Sequence, residues 1–415
     1  MKSNAAKKTS VIATLLIMST AYIAVFTSVQ GFKAMLPLIR EEFDLSGAQA
    51  GLYSTFFYAS GVALAIFSGR IVDGIGAKKG LISGVLIIAV LYLLHTLAPL
   101  FVMLLFLALF TGIGFSIVTP SINKGIIELV DPSKRAVSNG IVHAGGGIGG
   151  ILGSSALPAI GERFGWRISL IASASLALLI CLLLVKLFHP TNNNGSSESE
   201  STHSFKQDVK AVVTNPLVLL VCLMGVAVGL SIGNTVIHYA LFLTGDMDLT
   251  PTHAGIALSI FMFGGILGNP SFGYINDRFL NSNRRSGMFL LGMVVSVMFT
   301  VLALVIFPLS PSYFIILAFS FIFGLFAFAL IGMLFTTLGD VVGVRLMGTG
   351  TGILLVFTRL AMVFGPPLVG FFADLTGDYQ LSWILLSASM FTLTMIFFGL
   401  THKHKHILQR STTHE

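Results

Sequence analysis

The chain has 415 residues, of which 55% are apolar and only 10% charged, with a formal net charge of +7. A water-soluble protein of this length needs far more charge to cover its surface, so most of the chain must face lipid and little is left for a soluble catalytic domain. The basic residues punctuate hydrophobic segments instead of forming a run, which points to a membrane and away from nucleic acid. Cys181 and Cys222 both lie inside apolar runs, so they read as packed side chains, with no disulfide framework and no metal site expected.

A hydrocarbon layer of about 30 Å takes about 20 helical residues to cross. In chain order the apolar runs predict twelve spans: 11–39, 49–69, 80–98, 101–127, 136–160, 167–188, 216–243, 252–275, 287–308, 312–338, 348–373 and 381–400. The first follows Lys2, Lys7 and Lys8 in the manner of a signal peptide. No small-residue cleavage site comes after it and the run continues to Pro37, so it reads as a span. Between the sixth and seventh spans, 189–214 holds Pro190, Asn192, Asn194, Gly195 and a Ser/Glu run, which is the composition of a mobile linker. The expected fold is therefore an all-α membrane protein of two six-helix bundles, 1–188 and 215–401. The linker 189–214 joins them and a tail, 402–415, follows. His402, His404 and His406 in that tail could hold a metal, but without fixed geometry a solvated tail is the better reading.

Placing the N-terminus in the cytoplasm puts eighteen basic residues on the inner side and only Arg40, Arg163 and Arg167 on the outer side. That asymmetry predicts both termini and the linker inside a cell (inner) membrane. The two halves also echo each other. Gly69-Arg-Ile-Val-Asp73-Gly-Ile-Gly76-Ala-Lys78-Lys79 follows the second span, and Gly273-Tyr-Ile-Asn-Asp277-Arg278, with Arg284 and Arg285 beyond, follows the eighth. Two parallel repeats of this kind form a transporter architecture.

These two loops resemble the signature and its degenerate copy in the major facilitator superfamily, and span count and linker extend the resemblance over nearly the whole chain. It implies an alternating-access transporter without cofactor or catalytic residues. It also implies that Gly69, Asp73, Gly76 and Lys78, with Gly273, Asp277 and Arg278, form conformational loops. Asp73 would pair with positive charge from the other half; the plainer alternative is a loop-capping aspartate. A narrower similarity runs through Asn123-Lys124-Gly125, Arg135-Ala136, Asn139-Gly140, the glycine-rich stretch 145–153 and Gly165-Trp166-Arg167. It resembles the bacterial branch containing organic anion symporters and cyanate- and nitrate-porter-like proteins. The drug/proton antiporters of the superfamily carry a Gly-Pro motif in span five; here Pro158 has no glycine before it, which weighs against that reading.

Charge inside a bilayer is the sharpest functional signal, since each central charge costs ~2.5–3.5 kcal/mol on insertion scales. Lys33, Lys124 and Arg359 fall within spans, while every acidic residue maps to a loop, a terminus or a helix end. A positive interior calls for an anionic substrate. Arg359 lies ~15 Å along its span and could hold a carboxylate or sulfonate with its planar fork, or else bond to backbone carbonyls. Lys33 lies ~10 Å below Arg40, with Gln30 on the same face, and either contacts the anion or snorkels outward. Lys124 pairs most simply with Glu128 four residues on, although its neighbour Asn123 suggests substrate contact or gating.

Ser231, Asn234 and His238 share one helical face, expected to line a cavity, and Ser116, Thr119 and Asn123 form a similar stripe. His238 and His143 are candidate proton carriers, because histidine titrates near neutral pH; the alternative for each is a structural donor. The run 145–153 lacks the strand and Gly-Lys-Ser/Thr of a nucleotide loop, so close helix packing is the reading taken. The leading expectation is a monomeric, proton-coupled importer of a small organic anion. Drug efflux, and a non-transporting sensor or platform on the same scaffold, are the competing readings.

Overall fold

The computed structural model describes residues 2–64, 67–131, 134–188, 205–281 and 283–404. In chain order it has α1 (Lys2–Ala34), α2 (Leu36–Phe43), α3 (Gly47–Leu64), α4 (Phe67–Ile75), α5 (Ala77–His95), α6 (Phe101–Leu129), α7 (Arg135–Phe164) and α8 (Trp166–Leu187). There follow α9 (Phe205–Val213), α10 (Pro216–Gly245), α11 (Pro251–Phe279), α12 (Arg284–Val301), a π-turn (Leu302–Ile306), α13 (Phe307–Leu309), α14 (Tyr313–Thr376) and α15 (Gln380–Leu400). Among the described residues ten helical segments are long and apolar enough to cross a membrane, and the bent pair α3–α4 adds an eleventh. The glycines of α7 hold its hydropathy below its neighbours', although its 30 residues give it the length of a span. The architecture is the all-α multi-pass fold expected. Of the expected linker, 189–204 lies outside the described residues, and its end forms the short helix α9. His406 of the tail is also outside them.

Contacts divide the chain into two compact units. The first holds Met1–Asp44, Phe56–Ser197 and Thr250–Ser259; the second holds Leu45–Thr55, Glu198–Leu249 and Ile260–Glu415. The opening turns of α3 thus belong with the second unit, and those of α11 with the first. Leucine, phenylalanine and isoleucine left exposed along the helices, such as Phe106, Phe110, Leu179 and Leu182, are what a lipid-facing surface requires.

Glycine sets the closest packing in the first unit. Gly145, Gly149 and Gly153 of α7 lie against the carbonyls of Ser19, Ile23 and Thr27 of α1, one turn apart on both helices. A Cβ at Gly149 would land on the Ile23 carbonyl. The stretch 145–153 is therefore a helix-packing seam, the use of small residues that membranes favour where hydrophobicity cannot drive association. In α14 the backbone leaves helical geometry at Gly343 (φ 70°, ψ 174°). Only glycine adopts that conformation freely, and it separates two spanning segments, Tyr313–Gly343 and Arg345–Thr376.

Candidate functional site

Pro37 has no N–H to offer the Lys33 carbonyl four residues earlier, and the first span breaks there into α1 and α2. Lys33 sits at that break with only 2% of its surface exposed. Its ammonium donates to the Tyr58 hydroxyl at 2.9 Å and lies 5.2 and 4.7 Å from the ring centroids of Phe57 and Tyr58. Among the described residues no carboxylate lies within ion-pairing distance of it. Burial this complete is not the geometry of a lysine snorkelling to the surface. Further rings extend the setting: Phe57 meets Phe115 at 5.4 Å, and Phe115 meets Phe26 at 5.5 Å. Phe26, Phe115 and Tyr58 are only half-buried, and so is Gln30 one turn before Lys33.

A polar group lies further along α1 in the same unit. Tyr22, which packs against Phe26, shares a hydrogen bond with Thr119 (3.3 Å), and its ring stands edge-on to His143 at 5.0 Å. His143 Nε2 donates to the Asn123 side-chain carbonyl at 3.2 Å. The structure thus joins Asn123 and His143. Lys124 does not pair with Glu128 as its helical spacing suggested. Its ammonium meets the Asp73 carboxylate at 3.1 Å and the Asp73 carbonyl at 3.1 Å, because the end of α4 packs beside α6. Asp73 therefore has a positive partner within its own unit.

In the second unit Arg359 lies on Arg345–Thr376 of α14, partly exposed, beside the buried Thr358. Ser231, Asn234 and His238 of α10 are all buried, and Asn234 and His238 lie against that same stretch of α14. Asn234 lies over Gly365, where no side chain would fit beside it. Pro366 accepts at its carbonyl from His238 Nε2 (2.8 Å), and Nδ1 shares a hydrogen bond with the Tyr379 hydroxyl at 3.1 Å. His238 bridges helices here. The Asn234 side-chain carbonyl and the Ser231 hydroxyl are buried without a hydrogen-bond partner among the described residues, an unmet demand that polar groups in packed cores rarely keep.

The loop motifs are built from specific contacts. Gly76 takes φ 84° to turn α4 into α5, and Lys78 donates to the Val185 carbonyl at 2.9 Å. Gly69 and Gly273 face open space. Arg278 donates to Tyr274 at 2.7 Å. Asp277 meets Arg284 at 2.6 Å, and the same guanidinium reaches Asp340 at 3.1 Å. Arg284 is 4% exposed, so Arg284→Ala leaves two carboxylates facing one another with no cation between them. We expect it to cost about 2–3 kcal/mol, read as a lowered melting temperature, with Arg284→Lys recovering only part because it cannot fork.

At the opposite ends of the helices, Trp166 and Arg167 converge on Glu42 at 2.6 and 2.7 Å, joining the end of α2 to the start of α8. The Arg167 hydrogen bond holds the Glu42 carboxyl below the usual carboxylate range. Among the described residues no cluster of histidine, cysteine and carboxylates could hold a metal, and both cysteines are free and buried. Sequence reasoning missed Tyr58 and Tyr22. Neither breaks the apolar pattern of its helix, and only the fold shows that one meets an ammonium and the other a histidine.

Comparison with known proteins fits this geometry. The family model described as Major Facilitator Superfamily matches residues 18–238 and 221–414. Monocarboxylate transporter 12-B of Danio rerio is 23% identical over 327 residues, 71% of this chain and 66% of that protein, so the chain spans about two thirds of that relative. The hexuronate transporter of Bacillus subtilis (strain 168) is 23% identical over 362 residues, 84% of this chain and 85% of its own length. Among solved structures, a bacterial homolog of the human lysosomal transporter Spinster, inward-facing and unoccupied, superposes with a TM-score of 0.70 at 19% identity, covering 97% of both chains. The nucleoside transporter NupG gives a TM-score of 0.77 at 16% identity, covering 93% of this chain and 99% of that one. With both of its halves matched by the family model and this fold shared along nearly its full length, the chain belongs to the Major Facilitator Superfamily of membrane transporters.

Proposed function

We propose that the protein is a secondary transporter of a small organic anion, a carboxylate or sulfonate, working by alternating access. One observation carries this reading: a lysine ammonium buried to 2% exposure beside a neutral hydroxyl and two rings, with no carboxylate in ion-pairing distance among the described residues. An ammonium so placed favours a negatively charged ligand, because desolvating it without a counter-ion costs several kcal/mol. Tyr58 holds Lys33 in place and offers a hydroxyl to the same anion. The half-buried rings of Phe26, Phe115 and Tyr58 favour an anion with an apolar or aromatic body over nitrate or cyanate. Gln30 and Asn123 are hydrogen-bonding candidates in the unit of Lys33, and in the other unit Arg359 is a candidate cation and Asn234 a candidate hydrogen-bonding group. Lys124 is engaged with the loop motif and belongs to the conformational machinery.

The names of the monocarboxylate and hexuronate transporters support organic acids as the substrate class. In this reading the protein is a monomer in a bacterial inner membrane with both termini in the cytoplasm, and the bacterial organic anion branch is its place within the superfamily. A proton accompanies the anion, and His143, bonded only to a neutral amide among the groups named above, suits its carriage better than the doubly bonded His238.

Purified protein in proteoliposomes tests this directly. A labelled monocarboxylate should accumulate, faster under an inward proton gradient and not at all with a protonophore. Arg359→Gln should reduce uptake by at least tenfold while the protein remains folded. Unchanged uptake in Arg359→Gln would remove that residue from the site, and no flux of any carboxylate or sulfonate would reject the substrate class.

A further inference from the structure

The Lys33 ammonium stands at one end of a ladder of rings built from four helices of the first unit. It lies 5.2 Å from the ring of Phe57 on α3, Phe57 meets Phe115 of α6 at 5.4 Å, and Phe115 meets Phe26 of α1 at 5.5 Å. Phe26 packs against Tyr22 at 4.7 Å, one turn back along α1, and the Tyr22 ring stands edge-on to His143 of α7 at 5.0 Å. From Phe57 to His143 the interplanar angles run from 52° to 79°, the tilted and edge-on settings that aromatic quadrupoles favour. Helical spacing builds the run, since Tyr22 and Phe26 share one face of α1 with Gln30 and Lys33.

Both ends of the ladder are held in place. The Lys33 ammonium donates to Tyr58 at 2.9 Å, the Tyr22 hydroxyl shares a hydrogen bond with Thr119, and His143 bonds Asn123. Gly146 leaves the room that the rings fill: a Cβ there would come within 2.8 Å of the Tyr22 ring and 3.4 Å of the Phe26 ring. Phe57 and Tyr22 are buried and form the back of the ladder, whereas Phe26, Phe115 and Tyr58 are half-buried, so three rings keep uncovered surface near the ammonium. Phe115 shares its face of α6 with Thr119 and the exposed Asn123, at one-turn intervals. A polar face of that kind is costly against lipid, so this side of the helix meets water.

We infer that the anion taken at Lys33 is an aromatic monocarboxylate, its carboxylate on the ammonium and the Tyr58 hydroxyl and its ring set against Phe26 and Phe115 as a further rung. The inference rests on the organic-anion reading and narrows it. A planar ring gains from the quadrupoles of its neighbours beyond what its area provides, whereas a saturated ring of the same size gains the area term alone. A sugar acid fits this wall badly. It carries a hydroxyl on nearly every carbon, and each would face a ring or a polar group that already has a partner, as Tyr22 has Thr119 and His143 has Asn123. One carboxylate also matches one ammonium, because Lys124, the other lysine within a span of this unit, is held by Asp73.

Apparent dissociation constants from thermal-shift titrations of the full-length protein test it, with phenylacetate, cyclohexylacetate and glucuronate as probes. Cyclohexylacetate has the same carbon skeleton and is the more apolar, so burial alone would rank it first or equal. The wild type should instead bind phenylacetate roughly three- to tenfold more tightly than cyclohexylacetate, and glucuronate at least roughly tenfold more weakly than phenylacetate. Phe115→Leu, which keeps an apolar side chain and loses the ring, should bring the ratio of phenylacetate to cyclohexylacetate affinity close to one, while Phe115→Tyr keeps it. Should Phe115→Leu fold poorly, Phe26→Leu removes the neighbouring rung and should lower the ratio likewise. Equal or tighter binding of cyclohexylacetate by the wild type, or a ratio that neither leucine variant moves, would overturn the inference and leave the anion reading standing. No shift with any of the three carboxylates would overturn the inference and count against the anion reading as well.

Discussion

Lys33→Met is expected to abolish uptake of the organic anion while leaving the protein as stable as the wild type or more so. The two effects have one cause. The Lys33 ammonium is buried and its partners are a neutral hydroxyl at 2.9 Å and two aromatic faces. Cation–π contacts and a hydrogen bond return about 1 kcal/mol each, less than the several kcal/mol that burial of an ammonium costs. Methionine has nearly the same length and flexibility and carries no charge, so the substituted helix should gain about 1–2 kcal/mol, seen as a higher melting temperature. The anion, however, loses a charge-assisted hydrogen bond worth about 1.5–3 kcal/mol, a fall in affinity of roughly 10- to 150-fold. A residue kept for structure would move both quantities the same way. Melting curves and initial uptake rates on the same preparations decide between the two.

The second large effect is structural. Gly149→Leu places a side chain where the Ile23 carbonyl of α1 already sits, and a backbone carbonyl inside a packed helix cannot rotate away. The helices must separate along the whole seam of Gly145, Gly149 and Gly153, at a cost of about 3 kcal/mol or more, and the protein should yield little folded material. Gly140→Leu is the internal control. It lies on the same helix, no atom of another element stands within 4 Å of its would-be Cβ, and leucine forms helix better than glycine. It should fold at least as well as the wild type. Size-exclusion profiles and melting temperatures of the two variants, side by side, check both expectations.

Much of the fold was legible because lipid leaves so few choices. Length, hydropathy and the repeated glycine–aspartate loops led to helices in two repeats, since a membrane span has to satisfy its own backbone. The seam at 145–153 was legible too, from glycines spaced one turn apart. Contacts between distant segments were not. Lys124 has Glu128 at helical spacing, but the partner the structure gives it, Asp73, is 51 residues away. Periodicity put Ser231, Asn234 and His238 on one face, but that Asn234 meets Gly365 and His238 meets Pro366 depends on how α10 and α14 pack. Of the candidate site, charge within a span brought out Lys33 together with Lys124 and Arg359, while Tyr58, to which the Lys33 ammonium donates, gave no signal within an apolar run.

The central claim is that the Lys33 ammonium receives the substrate anion. Its most direct test is thermal stabilisation of purified wild type, Lys33→Met and Lys124→Met by a graded series of organic carboxylates and sulfonates, with nitrate and cyanate alongside. The organic anions should stabilise the wild type and Lys124→Met, whose ammonium pairs with Asp73 of the loop motif, and should leave Lys33→Met unstabilised. Equal stabilisation of Lys33→Met and wild type would contradict it.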